Sequence, residues 1–238
     1  MFDQIVERLK KAEKIVFVTG AGISQESGIP TFRGKDGLWR KYDPMLLATI
    51  DAFHKNPKLV WEWYEERRQN IINANPNPGH LAIAEIEKCK QVSVLTQNID
   101  GLHQRAGSKQ VYELHGSIIT VKCTVCRFKD KITSSFSSLP PLCKCGNMLR
   151  PDVVWFGEQL PQNIWQSAIN QSSSCDVMVV VGTSLEVSPA NLLPFYAKQN
   201  GALMIEINPD QTLMSSNMDI SLRSSAAKAL PELARVLF

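Results

Sequence analysis

The stretch Lys14-Ile15-Val16-Phe17-Val18-Thr19-Gly20-Ala21-Gly22-Ile23-Ser24 is an apolar, β-branched run that stops at two glycines. A short continuous apolar run bounded by glycine reads as a buried parallel strand, and glycine lets the backbone turn tightly and approach a ligand. That is the front half of a dinucleotide-binding turn, where backbone N–H groups and the start of the next helix hold phosphate. The spacing departs from G-x-G-x-x-G, because the next glycine is Gly28. Read alone, such a turn serves a phosphate or merely reverses the chain. The long loop beyond it, Glu26 to Gly34, adds Thr31, an aromatic at Phe32 and the fixed positive charge of Arg33.

Other strands of the same kind follow. Asp176 to Ser184 is an apolar run ending in Gly182-Thr183-Ser184, and Leu203 to Asp210 ends in Asn208-Pro209-Asp210. Between them and the first run, Val92 to Thr96 delivers Gln97-Asn98-Ile99-Asp100-Gly101-Leu102-His103. In open α/β sheets ligands bind outside the carboxyl ends of the strands, so these groups suit the ribose and adenine of a dinucleotide. They equally suit capping of the helices that follow. No acidic residue stands out about 20 positions after the glycine turn, which leaves Asn208 or Ser184 for the ribose hydroxyls. Val111-Tyr112-Glu113-Leu114-His115-Gly116 repeats the arrangement with a histidine, and His115 at a strand end is a candidate general base. His54 and His103 lack that combination and read as structural. His80 follows Asn75-Pro76-Asn77-Pro78 and reads as a packing residue at a helix start.

Residues 3 to 13 predict a short helix with Ile5, Val6 and Leu9 near one face, and Asp43 to Asn73 is helical in pattern with Pro57 at a first helical position. Gly37 to Arg40, including Trp39, reads as a mobile loop that folds over a ligand. Within the long helical stretch, Tyr64 and Arg67 are three apart and share a face. A phenol and a guanidinium there either converge on one carboxylate or form a packed aromatic beside a solvated arginine. Ala226 to Phe238 reads as a last helix closing the sheet.

The 238 residues suffice for one large domain with an insertion, and a net charge of +3, with Lys and Arg scattered, gives no basis for nucleic-acid binding. No apolar run approaches the roughly 20 residues that span a bilayer, and no membrane association is expected. The start carries charges at helical spacing and no signal-peptide core, so a cytoplasmic location is expected, as is a monomer. In that compartment thiols stay reduced, so Cys123-x-x-Cys126 and Cys143-x-Cys145 read as four ligands of one zinc ion, the alternative being unliganded thiols. With all four positions taken by thiolate the metal would be structural. Cys89 and Cys175 stand singly and read as core residues.

Taken together, Gly20-Ala21-Gly22-Ile23-Ser24, Gly28-Ile29-Pro30-Thr31-Phe32-Arg33, Gln97-Asn98-Ile99-Asp100, His115-Gly116, the paired cysteines, Val153-Val154-Trp155-Phe156-Gly157-Glu158, Gly182-Thr183-Ser184 and Asn208-Pro209-Asp210 resemble the sirtuin family along the whole chain and in its order. The resemblance implies an α/β fold, a Rossmann-like parallel sheet domain from residues 1–34, 81–118 and 151–238. A helical module with the cofactor loop, 35–80, and a zinc-binding module, 119–150, would be inserted in it. It implies NAD-consuming removal of acyl groups from lysine, yielding nicotinamide, 2′-O-acyl-ADP-ribose and free lysine, with acyl-lysine proteins or peptides as partners. His115 matches the family's base. Gly20 to Ser24, Thr31 to Arg33, Trp39, Gln97 to Asp100, Gly182 to Ser184, Asn208 to Asp210 and Ala226 match its cofactor residues. Tyr64 and Arg67 match the Tyr-x-x-Arg pair of the class III sirtuins, and Ala48 matches the small residue that widens their acyl pocket, with Val154 and Phe156 completing the substrate set. The expectation is a desuccinylase and demalonylase with some deacetylase activity. The alternatives are a plain deacetylase, an ADP-ribosyltransferase using the same pocket, or a zinc-ribbon module that binds without chemistry.

Overall fold

A computed structural model describes residues 2–33 and 37–237, so the Gly34 end of the loop and the expected helical end at Phe238 lie outside the described residues, as does the side chain of Ile5. The chain opens with α1 (Phe2–Lys11) and then β1 (Lys14–Thr19), whose residues after Lys14 are all buried. After the glycine turn come α2 (Pro44–Leu47), α3 (Ile50–Lys55), α4 (Pro57–Asn73) and α5 (Pro78–Ile86). The stretch expected as one helical pattern is thus three helices. It breaks at Ala48 and Asn56, where the Thr49 and Asn56 side chains accept from backbone N–H groups and start new helices, with Pro57 at the first position of α4 as expected.

Next follow β2 (Gln91–Thr96), α6 (Leu102–Ala106), β3 (Val111–Glu113), β4 (Gly116–Cys123), β5 (Lys129–Lys131), β6 (Leu149–Val153), α7 (Gln162–Ser173), β7 (Val177–Val181), α8 (Leu193–Gln199), β8 (Leu203–Ile207), β9 (Ile220–Leu222) and α9 (Ala226–Leu237). Six strands form one parallel sheet in the order β3-β2-β1-β7-β8-β9, so the chain turns from one direction to the other between β1 and β7. Numbered within this sheet, that is the 3-2-1-4-5-6 order of a Rossmann fold, whose crevice opens at the point of reversal.

Because β1, β2, β7 and β8 are buried on both faces, their sequences are dominated by apolar residues at successive positions, most plainly in β1 and β7. Phe17, Val94, Val179 and Ile205 pack on α1, α5 and α9, while Val18, Leu95, Val180 and Met204 pack on α7 and α8. A second, antiparallel sheet in the order β5-β4-β6 shares a third core with α3 and α4, built around Phe53, Trp61, Tyr64, Ile118 and Trp155. Cys175 is buried as expected, but Cys89 is exposed, because the turn after α5 carries it clear of the apolar face.

Candidate active site

Where the chain reverses direction, Gly20 and Gly22 at the end of β1 lie against Gly182 and Thr183 at the end of β7. Gly22 N–H donates to the Gly182 carbonyl (2.8 Å), and a Cβ on Gly22 would stand 2.7 Å from Gly182 Cα. A Cβ on Gly20 would stand 2.6 Å from Thr183 Cβ. The glycines are therefore needed first for backbone to meet backbone, a cause the sequence reading did not offer. The turn continues as a 3-10 helix, Ala21–Ser27, and not as an α-helix.

Above this crossing lies one cavity of about 700 Å³. It gathers the predicted cofactor residues from all four strand ends, together with His115, Ala48, Tyr64, Arg67, Val154 and Phe156. Ile23 is the exception: its side chain is fully buried in the core beneath, with α5 and α9. The polar groups of the floor are largely oriented by one another. Asn98 donates both amide hydrogens within the protein, to the Gly20 carbonyl (3.1 Å) and Ser24 Oγ (3.0 Å), which leaves its side-chain oxygen for a ligand. Ser24 Oγ donates to Asp100 Oδ2 (2.7 Å), whose other oxygen accepts from Leu102 N–H. Burial pushes the Asp100 carboxyl up, against these two bonds. Gln97 donates to Thr183 Oγ1 (2.9 Å) and Asn208 to the Thr183 carbonyl (3.1 Å), tying three strand ends together.

His80 turns out to do two jobs. It closes a capping box with Asn77 at the start of α5, as its position suggested, and it reaches the site. Its Nδ1 accepts from Asn77 N–H (3.3 Å), so its Nε2 carries the proton and faces Ser24 Oγ at 3.4 Å. Burial pulls its pKa down to about 4. Only the fold brings these groups together, because 56 positions separate them in sequence. His103 is buried beside it, bonded to Thr19 Oγ1, in the structural part expected of it.

His115 sits between β3 and β4. Gly116 follows it with φ +76°, at a spot where a Cβ would fall 2.1 Å from the Asp152 carbonyl. His115 Nδ1 lies 3.0 Å from the Gln97 carbonyl oxygen. A carbonyl only accepts, so Nδ1 donates and Nε2 keeps a free lone pair. Burial holds the imidazole below its ordinary value, offset in part by that bond.

At the other end the walls are aromatic. Trp39 stacks on Trp63 (5.6 Å between centroids) and packs on Phe32 (5.1 Å) within a 3-10 turn, Leu38–Arg40. The Arg67 guanidinium carbon lies 4.3 Å from the Trp63 ring centroid, 4.8 Å from Phe32 and 5.8 Å from Tyr64. Burial lowers its pKa; Tyr64 opposes this, and no carboxylate contributes. Ala48 stands at the α2 cap, its carbonyl accepting from Phe156 N–H (2.9 Å), and Val154 N–H donates to the His115 carbonyl.

The four paired cysteines converge, their sulfurs all within 4.8 Å of one another. Two of the separations are 3.5 and 3.6 Å, between Cys123 and Cys145 and between Cys126 and Cys143. Tetrahedral thiolates at a Zn–S distance of about 2.3 Å stand about 3.8 Å apart, so the cluster fits one structural zinc despite the shorter spacing of the second pair. Backbone N–H groups of Val125 and Cys126 point at Cys123 Sγ (3.4 Å each), which suits a thiolate.

The Sir2 family model matches residues 20–189. The chain is 50% identical over 230 residues to NAD-dependent protein deacylase 1 of Caldanaerobacter subterraneus subsp. tengcongensis, covering 95% of each chain. It is 52% identical over 219 residues to the NAD-dependent protein deacylase of Aquifex aeolicus, covering 91% of this chain and 92% of that one. Among solved structures, a Sir2 homolog–NAD complex superposes with a TM-score of 0.92 at 45% identity, covering 99% of this chain and 93% of that one. A cavity at the sheet's reversal, the four-cysteine cluster and likeness along almost the whole length agree: this chain belongs to the Sir2 family.

Proposed function

We propose that this NAD-dependent protein deacylase of the Sir2 family acts by preference on lysine acyl groups that end in a carboxylate, succinyl and malonyl, and more weakly on acetyl. The observation that carries the reading is Arg67: a buried guanidinium on the cavity wall, held between aromatic rings, with no carboxylate of the chain beside it among the described residues. A buried charge normally has a partner, because removing it from water costs several kcal/mol. A ligand carboxylate supplies one.

The same residues assign the chemistry. NAD supplies an electrophilic ribose carbon with nicotinamide as leaving group. The crossing at Gly20 to Ser24, the Thr31 to Arg33 loop, Trp39 and the strand ends at Gln97 to Asp100, Gly182 to Ser184, Asn208 to Asp210 and Ala226 hold it. Ile23 contributes only as core beneath that turn. His115, proton-free at Nε2 near neutral pH, serves as the base for a ribose hydroxyl. Val154 and Phe156 flank the acyl-lysine, Ala48 leaves room for the longer acyl chain, and the aromatic walls keep water from the reacting carbon.

The test is NAD-dependent turnover of acetyl-, malonyl- and succinyl-lysine peptides of one sequence, with wild type and Arg67→Met side by side. Wild type is expected to prefer the succinyl peptide. The variant is expected to lose about a hundredfold in succinyl kcat/KM relative to acetyl, the scale of a charged hydrogen-bonded pair of about 3 kcal/mol. An acetyl preference that Arg67→Met leaves unchanged would make the protein a plain deacetylase.

A further inference from the structure

Tyr64, the other half of the pair, is bonded in a way that decides what it can offer a ligand. Trp155, 2% exposed just after β6, donates its indole N–H to the Tyr64 hydroxyl oxygen at 3.0 Å, and no other hydrogen bond to that hydroxyl occurs among the described residues. A phenol both accepts and donates, while an indole N–H only donates. With its accepting side engaged, Tyr64 keeps its proton for the cavity that it lines beside Arg67.

Trp155 is itself braced. The Arg150 guanidinium lies 3.5 Å from the Trp155 ring centroid and forms two bonds to Glu158, of 2.7 and 2.8 Å. Glu158 Oε2 also accepts from the Trp155 backbone N–H at 2.8 Å. Burial pushes the Glu158 carboxyl up, but its bonds from Arg150 and Trp155 outweigh this and hold it below its ordinary value, so the clamp stays charged near neutral pH. Ring and backbone of Trp155 are thus both fixed, and the indole N–H is aimed at one atom.

We propose that Trp155 is a positioning residue for acyl specificity: its indole N–H holds Tyr64 as a hydrogen-bond donor toward the terminal carboxylate of the acyl group, next to Arg67. A carboxylate accepts only, so a tyrosine that is free to turn and accept is mismatched to it, whereas an acetyl methyl takes no bond from Tyr64 either way. The inference rests on the acyl reading above and extends it to a residue outside the Tyr-x-x-Arg pair.

Trp155→Phe keeps an aromatic ring under Arg150 and removes the N–H. Succinyl and acetyl kcat/KM are measured for wild type, Trp155→Phe, Tyr64→Phe and the double variant. Trp155→Phe is expected to lower the ratio of succinyl to acetyl kcat/KM about fivefold, the scale of one hydrogen bond, and to change it no further once Tyr64 is Phe. A proportionate fall with both substrates, or a full additional effect in the Tyr64→Phe background, would show that Trp155 merely packs. Should Trp155→Phe not fold, Tyr64→Phe alone decides: the expected result is a fall in the same ratio, and an unchanged ratio overturns the proposal. A wild type without succinyl preference, or one indifferent to Arg67→Met, sinks the acyl reading itself; Arg67 dependence with an unmoved ratio in Trp155→Phe sinks only this inference.

Discussion

At the strand-end side of the cavity, proposed to hold the nucleotide, the walls are backbone and the polar side chains are bonded to one another, whereas at the side proposed to hold the acyl group the walls are aromatic side chains around a guanidinium with no carboxylate partner among the described residues. The first end is shared by every substrate and built where two strand ends touch, so it tolerates almost no change of shape. The second, on the proposed reading, would touch only the acyl group and is adjustable one side chain at a time. Substitutions at the two ends should therefore fail in different ways.

Gly22→Ala is the most severe test of that contrast. Its methyl would meet backbone 2.7 Å away, which no rotamer relieves, so a loss on the order of 3 kcal/mol and of all turnover is expected by thermal unfolding and assay. Gly28→Ala, six residues on, meets nothing within 4 Å and pays only for its φ of +84°, about 1 kcal/mol. Equal melting temperatures for the two would show that conformation, and not contact at the crossing, sets the need for glycine. Next in size, His115→Ala should reduce kcat on all acyl peptides alike, by about 10²- to 10⁴-fold, the range of a lost general base. If it separated succinyl from acetyl as Arg67→Met should, the division of labour between the ends would be wrong.

A last test concerns pH. His80 has a folded pKa of about 4 against an ordinary 6.5, so between those values the unfolded chain binds the extra proton. Its contribution to stability is whole above about pH 6.5 and is lost as pH falls towards 4. Melting temperatures over this window should fall less steeply in His80→Gln than in wild type; parallel curves would place the acid sensitivity elsewhere.

Much of the parallel sheet could be read from the sequence because β1, β2, β7 and β8 are buried on both faces and so appear as apolar runs. Glu206, fully buried within β8, is the departure: hydroxyls of Thr212, Ser215 and Ser221 and the guanidinium of Arg223 satisfy it, partners that the run itself does not display. Short β5 and β9 carry too few residues for any period. The breaks at Ala48 and Asn56 depend on caps inside an otherwise helical pattern. Strand-end groups such as Asn98 were found because the position itself is a signal. Spacing alone favours plain packing for Tyr64 and Arg67 and only the family resemblance singles them out, since spacing cannot say whether a guanidinium meets solvent or a ring. Trp155 and His80 meet partners far away in the chain, Tyr64 and Ser24, and nothing in their sequence neighbours announces it.

Phe32 belongs to both ends at once. It lies in the Thr31 to Arg33 loop over the cofactor end, and its ring forms one side of the box around Arg67. On the acyl reading proposed above, the two binding events would be thermodynamically linked: any shift of this ring on dinucleotide binding would change the hold of Arg67 on an acyl carboxylate. By reciprocity, an acidic acyl-lysine would then change dinucleotide affinity by the same factor, a heterotropic effect that an acetyl group, making no use of Arg67, would not produce.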